Sequence, residues 1–152
     1  MNRRRSAITR LPSIVLVDSS AFFAIVDDSD AHHRDAEDIL DHLTRAGAKL
    51  VTTNFVLAET NALIIARTRR ADIALSFLTS TYASEFIELV RVTETDEQRA
   101  LAILAKYQDK LFSFTDALSF AVMERMEITH AFSFDNDFTQ YGFITLTPDF
   151  FR

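Results

Sequence analysis

Four carboxylates stand where they could act together. Asp18 ends the apolar run Ile14-Val15-Leu16-Val17. Glu59 lies in Asn54-Phe55-Val56-Leu57-Ala58-Glu59-Thr60-Asn61-Ala62-Leu63, where Phe55, Val56 and Leu63 share its face at helical spacing. Asp116 follows Thr115 in the first turn of an expected helix, where the positive helix end favours an ionised carboxylate. Asp135 ends Ala131-Phe132-Ser133-Phe134. Singly, each has an ordinary explanation: Asp18 and Asp135 as helix caps, Asp116 as first-turn chemistry, Glu59 as an exception on an apolar stripe. Jointly they would repel one another and raise some of their pKa values. A divalent cation relieves that repulsion, and oxygen-only ligands favour Mg²⁺ or Mn²⁺ over zinc. Such a cluster suits metal-assisted phosphoryl transfer.

These acids need a scaffold to position them. Ile14–Val17 reads as a strand buried on both faces, typical of a parallel sheet. A short helix over Ala21–Val26 follows, then a polar break at Asp27–Asp30. Ala31–Arg45 has Ala36, Ile39, Leu40 and Leu43 on one face and is closed by Gly47. Lys49–Thr52 is a strand; Asn54–Thr68 and Ala71 to about Tyr82 are helices. Phe86–Val92 is a strand, Asp96–Tyr107 a helix, and Thr115–Met126 a helix capped by Thr115. Ala131–Phe134 and Phe143–Leu146 are the last strands. Strands alternating with helices predict a three-layer α/β/α sandwich around a mostly parallel sheet. Open parallel sheets bind ligands beyond the carboxyl ends of their strands, where Asp18 and Asp135 are expected.

The bulk composition agrees with one compact domain. The chain has 152 residues, 48% hydrophobic and 25% charged, so it is globular rather than disordered. With no cysteine, thiolate catalysis and disulfide scaffolds are excluded. No apolar run approaches ~18 residues, so no membrane span is expected and the reading is cytoplasmic. Residues 1–12 read as a basic tail containing Arg3, Arg4, Arg5 and Arg10, and residues 13–152 as the domain. The net charge of −6 opposes nucleic-acid binding unless acids are gathered around cations. There is no G-x-S-x-G hydrolase elbow, P-loop or dinucleotide fingerprint.

Four segments, in order, resemble the PIN-domain family: Val17-Asp18-Ser19-Ser20-Ala21, Thr53-Asn54-Phe55-Val56-Leu57-Ala58-Glu59, Phe114-Thr115-Asp116-Ala117 and Ser133-Phe134-Asp135-Asn136-Asp137-Phe138. Phe112 to Glu124 is similar to the bacterial VapC-like branch, and the resemblance spans Ile14 to Leu146. It implies a PIN-like fold and a ribonuclease with Mg²⁺ or Mn²⁺ held by Asp18, Glu59, Asp116 and Asp135. Ser20 matches the family's hydroxyl two residues after the first acid, and Thr115 the hydroxyl before the third. Asp137 falls at a position that varies in the family and is a secondary acid. Asp135, read as the first residue after a buried strand, is expected to matter more than Asp137, which a helix first turn explains.

Arg67, Arg69 and Arg70 close the helix carrying Glu59, and Arg67 lies within about 80° of Glu59 on the helix wheel. They are RNA-contact candidates, with favourable charge at a helix C-terminus as the alternative. His32 and His33 are either rim residues or a polar helix start. The 14 Phe, including those in Tyr141 to Phe151, suggest exposed apolar surface and a homodimer. The oxygen-only acid cluster makes single-stranded RNA the expected substrate, and the VapC-like resemblance further implies a small antitoxin partner. A catalytically silent RNA- or protein-binding module, a phosphatase and a DNA nuclease stay open at this point.

Overall fold

The structure, a computed structural model, describes residues 11–151; the expected basic tail lies outside them except for Leu11 and Pro12. Five parallel strands form one sheet: β1 (Ile14–Val17), β2 (Lys49–Thr53), β3 (Ile87–Val90), β4 (His130–Phe132) and β5 (Ile144–Thr145), in spatial order β3-β2-β1-β4-β5. Pairing begins at Ile14 with Lys49 and, on the other side of β1, at Leu16 with Ala131. The α-helices are α1 (Ser19–Val26), α2 (His33–Arg45), α3 (Asn54–Thr68), α4 (Ala71–Ala83), α5 (Glu94–Lys106), α6 (Phe114–Arg125) and α7 (Asp137–Tyr141).

Alternation along the strands builds the three layers. Val15 and Val17 point into one core with Phe22, Ile39, Leu43, Val56, Leu57 and Phe77 from α1 to α4. Leu16 and Val51 point into the other with Ala100, Ile103, Leu118, Phe120, Met123 and Phe138 from α5 to α7. A strand whose successive side chains enter different apolar cores must be hydrophobic at every position, which is why Ile14–Val17 carries no polar residue.

The order in the sheet places β1 at a reversal. The chain leaves β1 through α1 and α2 to reach β2 on one side, and returns much later as β4 on the other. Where neighbouring strands send their connections in opposite directions, a crevice opens beyond their carboxyl ends. Here that crevice lies between Asp18 after β1 and the segment Ser133–Asn136 after β4. The backbone N–H of Asp18 donates to Phe132 O at 3.0 Å and locks the two strand ends together.

Three expectations need correction. First, β4 stops at Phe132, so Asp135 is three residues beyond the sheet and not the first residue after it. The apolar pattern through Phe134 resembles strand, but the Phe134 N–H is taken by Ser20 Oγ at 2.9 Å instead of by a sheet partner. Second, Thr115 does not cap α6. Ser113 does: its Oγ accepts from Asp116 N at 3.0 Å, and Asp116 Oδ2 accepts from Ser113 N at 2.9 Å, a reciprocal capping box. Third, the aromatic tail is turned inward. Tyr141 stacks on Phe120 with centroids 4.5 Å apart, and Phe151 stacks on His42 at 4.6 Å. The large apolar side chains most exposed among the described residues lie elsewhere, at Leu75, Phe86, Leu101 and Leu111.

Candidate active site

Asp18 is the N-terminal flanking residue of α1, yet its side chain makes no capping bond. It is 1% exposed, and its Oδ2 accepts from Ser133 Oγ at 2.9 Å and Ser20 Oγ at 3.3 Å. A buried carboxylate is costly unless it is paired. Hydroxyls supply hydrogen bonds but no positive charge. The Asp18 carboxyl is pushed up to about 7, chiefly by burial and also by the charges of Asp135 and Asp116, against the opposing pull of the Ser19 N–H and the Ser133 hydroxyl. The explanation of Asp18 as a helix cap therefore fails.

The two serine hydroxyls tie the segments together. Ser20 Oγ lies 3.2 Å from Ser133 Oγ, and Ser133 Oγ accepts from Asp135 N at 3.1 Å. The loop bearing Asp135 is thus held over Asp18 by hydrogen bonds rather than by the sheet. Burial raises the Asp135 carboxyl, as do the charges of Asp116 and Glu59; a hydrogen bond with Asp18 and the charge of Arg67 lower it.

Glu59 sits in the middle of α3, which Thr53 starts by accepting from Val56 N at 3.1 Å. Its carboxylate leaves the helix toward α1 and accepts from Ser19 Oγ at 2.7 Å. Asp116 is held by its capping bond to Ser113. Burial raises its carboxyl, the Ser113 N–H and hydroxyl lower it, and Asp137 raises it again through charge and a shared hydrogen bond. Asp137, the first residue of α7, is therefore coupled to the cluster through Asp116 and does more than begin a helix.

The acids influence one another pair by pair: Asp18 with Asp116 and Asp135, Asp135 with Asp116 and Glu59, and Asp116 with Asp137. Among the described residues, no three acidic or histidine side chains are drawn close enough to enclose one ion. The donor chemistry around the acids nevertheless fits a hard divalent cation: the Asp18 carboxylate is buried and held by the hydroxyls of Ser133 and Ser20, and Glu59 by that of Ser19. Ser19 and Ser133 escaped the sequence reading. Ser133 stands two residues before Asp135, and Ser19 directly after Asp18, so adjacency to an acid was the available signal.

The arginines divide. Arg67 lines the cleft with Glu59 and Asp135, its guanidinium 4.9 Å from the Phe23 ring centroid and 3.8 Å from Asp30 Oδ2. Arg70 is turned away onto Asp72, with contacts of 3.2 and 2.6 Å, and Arg69 ends α3 in the left-handed conformation at φ 59°. His32 reaches the cleft, whereas His33 is taken by Ala24 O at 2.6 Å and Glu37 at 3.1 Å. Among the described residues, Thr115 makes no hydrogen bond to the acids, and the cap of α6 next to it is Ser113.

A parallel sheet with acids gathered at its switch point defines a class, and residues 15–144 match the PIN domain; the chain belongs to the PIN-domain family. It is 31% identical over 137 residues to the 23S rRNA-specific endonuclease VapC20 of Mycobacterium tuberculosis, covering 90% of this chain and 100% of that protein. The Ribonuclease VapC13 of the same organism is 34% identical over 128 residues, covering 84% of this chain and 95% of that one. The crystal structure of VapC20, described as a Sarcin-Ricin loop cleaving toxin, superposes with a TM-score of 0.80 over 90% of this chain and 100% of that one.

Proposed function

We propose that this protein is a Mg²⁺- or Mn²⁺-dependent endoribonuclease acting on single-stranded RNA. The observation that supports this reading is the set of carboxylates at the strand ends: Asp18, Glu59, Asp116 and Asp135 come from four separate segments of the chain, and Asp116 and Asp135 raise Asp18 while Asp116 and Glu59 raise Asp135. The similarity to VapC20 and VapC13 supports RNA over DNA or a phosphomonoester as substrate, and makes an exposed ribosomal RNA loop the first substrate to test.

Asp18, Glu59, Asp116 and Asp135 would hold the ion, with Asp137 supporting Asp116. A bound divalent cation supplies charge for the phosphate and a water of lowered pKa as nucleophile. The chain's own groups do the orienting. Ser133 and Ser20 hold Asp18, Ser19 holds Glu59, and Ser113 holds Asp116. Arg67 places a positive charge at the rim, where the approaching RNA backbone needs one in a chain of net charge −6.

Cleavage should require Mg²⁺ or Mn²⁺, stop in EDTA and leave 5′-phosphate and 3′-hydroxyl ends. Undiminished cleavage in EDTA, or 2′,3′-cyclic ends, would refute the mechanism. RNA binding without cutting in either metal would make the protein a silent module. As a toxin, it would pair with a small antitoxin that lays an apolar segment in a groove and sends a basic side chain into the acid cluster. Expression of the chain alone should then slow growth, and Asp116→Asn should not; harmless expression of the active enzyme points to a housekeeping role.

A further inference from the structure

Metal chemistry leaves one end of the cleft unexplained. The cleft has a volume of about 500 Å³ and joins Glu59 and Asp135 to His32, Phe134 and Arg67. That volume lies in the range of small-ligand sites, roughly 300–1,000 Å³. The His32 imidazole lies flat on the Phe134 ring, with centroids 4.4 Å apart and planes 8° from parallel.

Both partners are tied down. The main-chain N–H of His32 donates to Asp30 Oδ1 at 2.8 Å. The Phe134 N–H donates to Ser20 Oγ at 2.9 Å, the hydroxyl that also reaches Asp18. Phe134 is therefore anchored through the same hydroxyl as Asp18. Phe134 covers one face of the imidazole; His32 is exposed, which leaves the opposite face to a ligand. Arg67 stands in the same cleft with 58% of its side chain exposed and, among the described residues, an ion pair with Asp30 at 3.8 Å, too long and too solvated to occupy its donors.

We propose that this end of the cleft is a nucleobase subsite: an unpaired base of the RNA stacks on the open face of His32, backed by Phe134, while Arg67 donates to the adjoining phosphate. The inference rests on the ribonuclease reading and specifies its substrate. Phe134 and Asp135 are consecutive, about 3.8 Å apart along the chain, so the stacked base belongs to a nucleotide flanking the scissile phosphate. Stacking accepts any base because every base has a π-face, but it requires a base splayed out of a helix. The site thus selects for unpaired structure at the cut rather than for one letter.

The test is a double perturbation. Steady-state kcat and KM are measured in Mn²⁺ on a single-stranded RNA and on copies carrying one abasic nucleotide at successive positions, with the parent, His32→Ala and His32→Tyr. Loss of a base–aromatic stack is expected to lower kcat/KM about 5- to 150-fold. One abasic position beside the cut should cost the parent that factor, and His32→Ala should cost the same on intact RNA. The two losses should not multiply, because they remove one contact. His32→Tyr should restore activity, and an unchanged thermal midpoint shows that the variants are folded. Unaltered kinetics in His32→Ala, or losses that multiply at every position, overturn the subsite while leaving the ribonuclease reading intact. A parent that cuts no RNA overturns both.

Discussion

Asp18→Asn should stabilise the metal-free protein above neutral pH while destroying its activity. The Asp18 carboxyl is 1% exposed and titrates at about 7 against 3.8 when unburied. Between those values the folded state binds a proton that the unfolded state has released, so stability falls as pH rises through the window. The penalty is absent below about pH 4 and complete above pH 7. The span from 3.8 to about 7, at 1.36 kcal/mol per pH unit, sets a ceiling of ~4 kcal/mol. Asparagine removes the charge, and its carbonyl oxygen can still accept from Ser133 Oγ, so most of that penalty should be relieved. In a chain of this size ~4 kcal/mol corresponds to about 8–16 °C in the unfolding midpoint. Thermal unfolding in EDTA, followed by circular dichroism at pH 4, 6 and 8, measures it. The gain over the parent should be negligible at pH 4 and largest at pH 8, and added Mn²⁺ should stabilise the parent more than the variant. A gain independent of pH, or none at pH 8, would refute the claim that Asp18 is an uncompensated buried acid.

The other expectations follow from neighbouring contacts. Asp137→Asn removes a negative charge that raises the Asp116 carboxyl and leaves an amide able to donate to it, so the acid limb of the kcat/KM–pH profile should move to lower pH; an unmoved limb would separate Asp137 from the site. Asp135→Asn should impair RNA cleavage while retaining a folded circular-dichroism spectrum, because its loop is held by main-chain N–H donors to Ser133 and Ser20. Arg125→Met strips two bonds of 2.9 and 2.8 Å from Asp96, which is 2% exposed, and should cost about 1–3 kcal/mol in urea unfolding, within the range for stranding a buried partner. A homodimer should scatter light at twice the chain mass of 17.3 kDa at micromolar concentration, and a clean monomer would count against it.

Local chemistry was enough for much of the scaffold. The four β-branched and aliphatic residues Ile14–Val17 read as a doubly buried strand, and they are one. Asn54–Thr68 is helical over the expected span because Thr53 supplies a cap and no Gly or Pro interrupts it. Asp18 directly follows its strand as anticipated. The Ser113-x-x-Asp116 capping box was also present in the sequence, but Thr115 drew the assignment because both hydroxyls precede the same apolar run. The family motifs located the acids without showing how they are held.

Tertiary structure decided the rest, because the deciding partners are far apart in the chain. Ser20 takes the Phe134 N–H across 114 residues and so ends β4 early, freeing Asp135 from the sheet. Asp116 and Asp137 belong to different helices, and only the packing of α7 against α6 makes their carboxyls interact. Arg67 and Arg70 are three residues apart, yet one lines the cleft and the other pairs with Asp72, since α3 ends between them. The aromatic residues of the C-terminal segment promised an exposed surface and instead found Phe120 and His42. Periodicity and propensity act over a few residues and were legible in one dimension. Which hydroxyl meets which carboxylate depends on how strands order in the sheet, and that order is set by burying both faces of β1 at once.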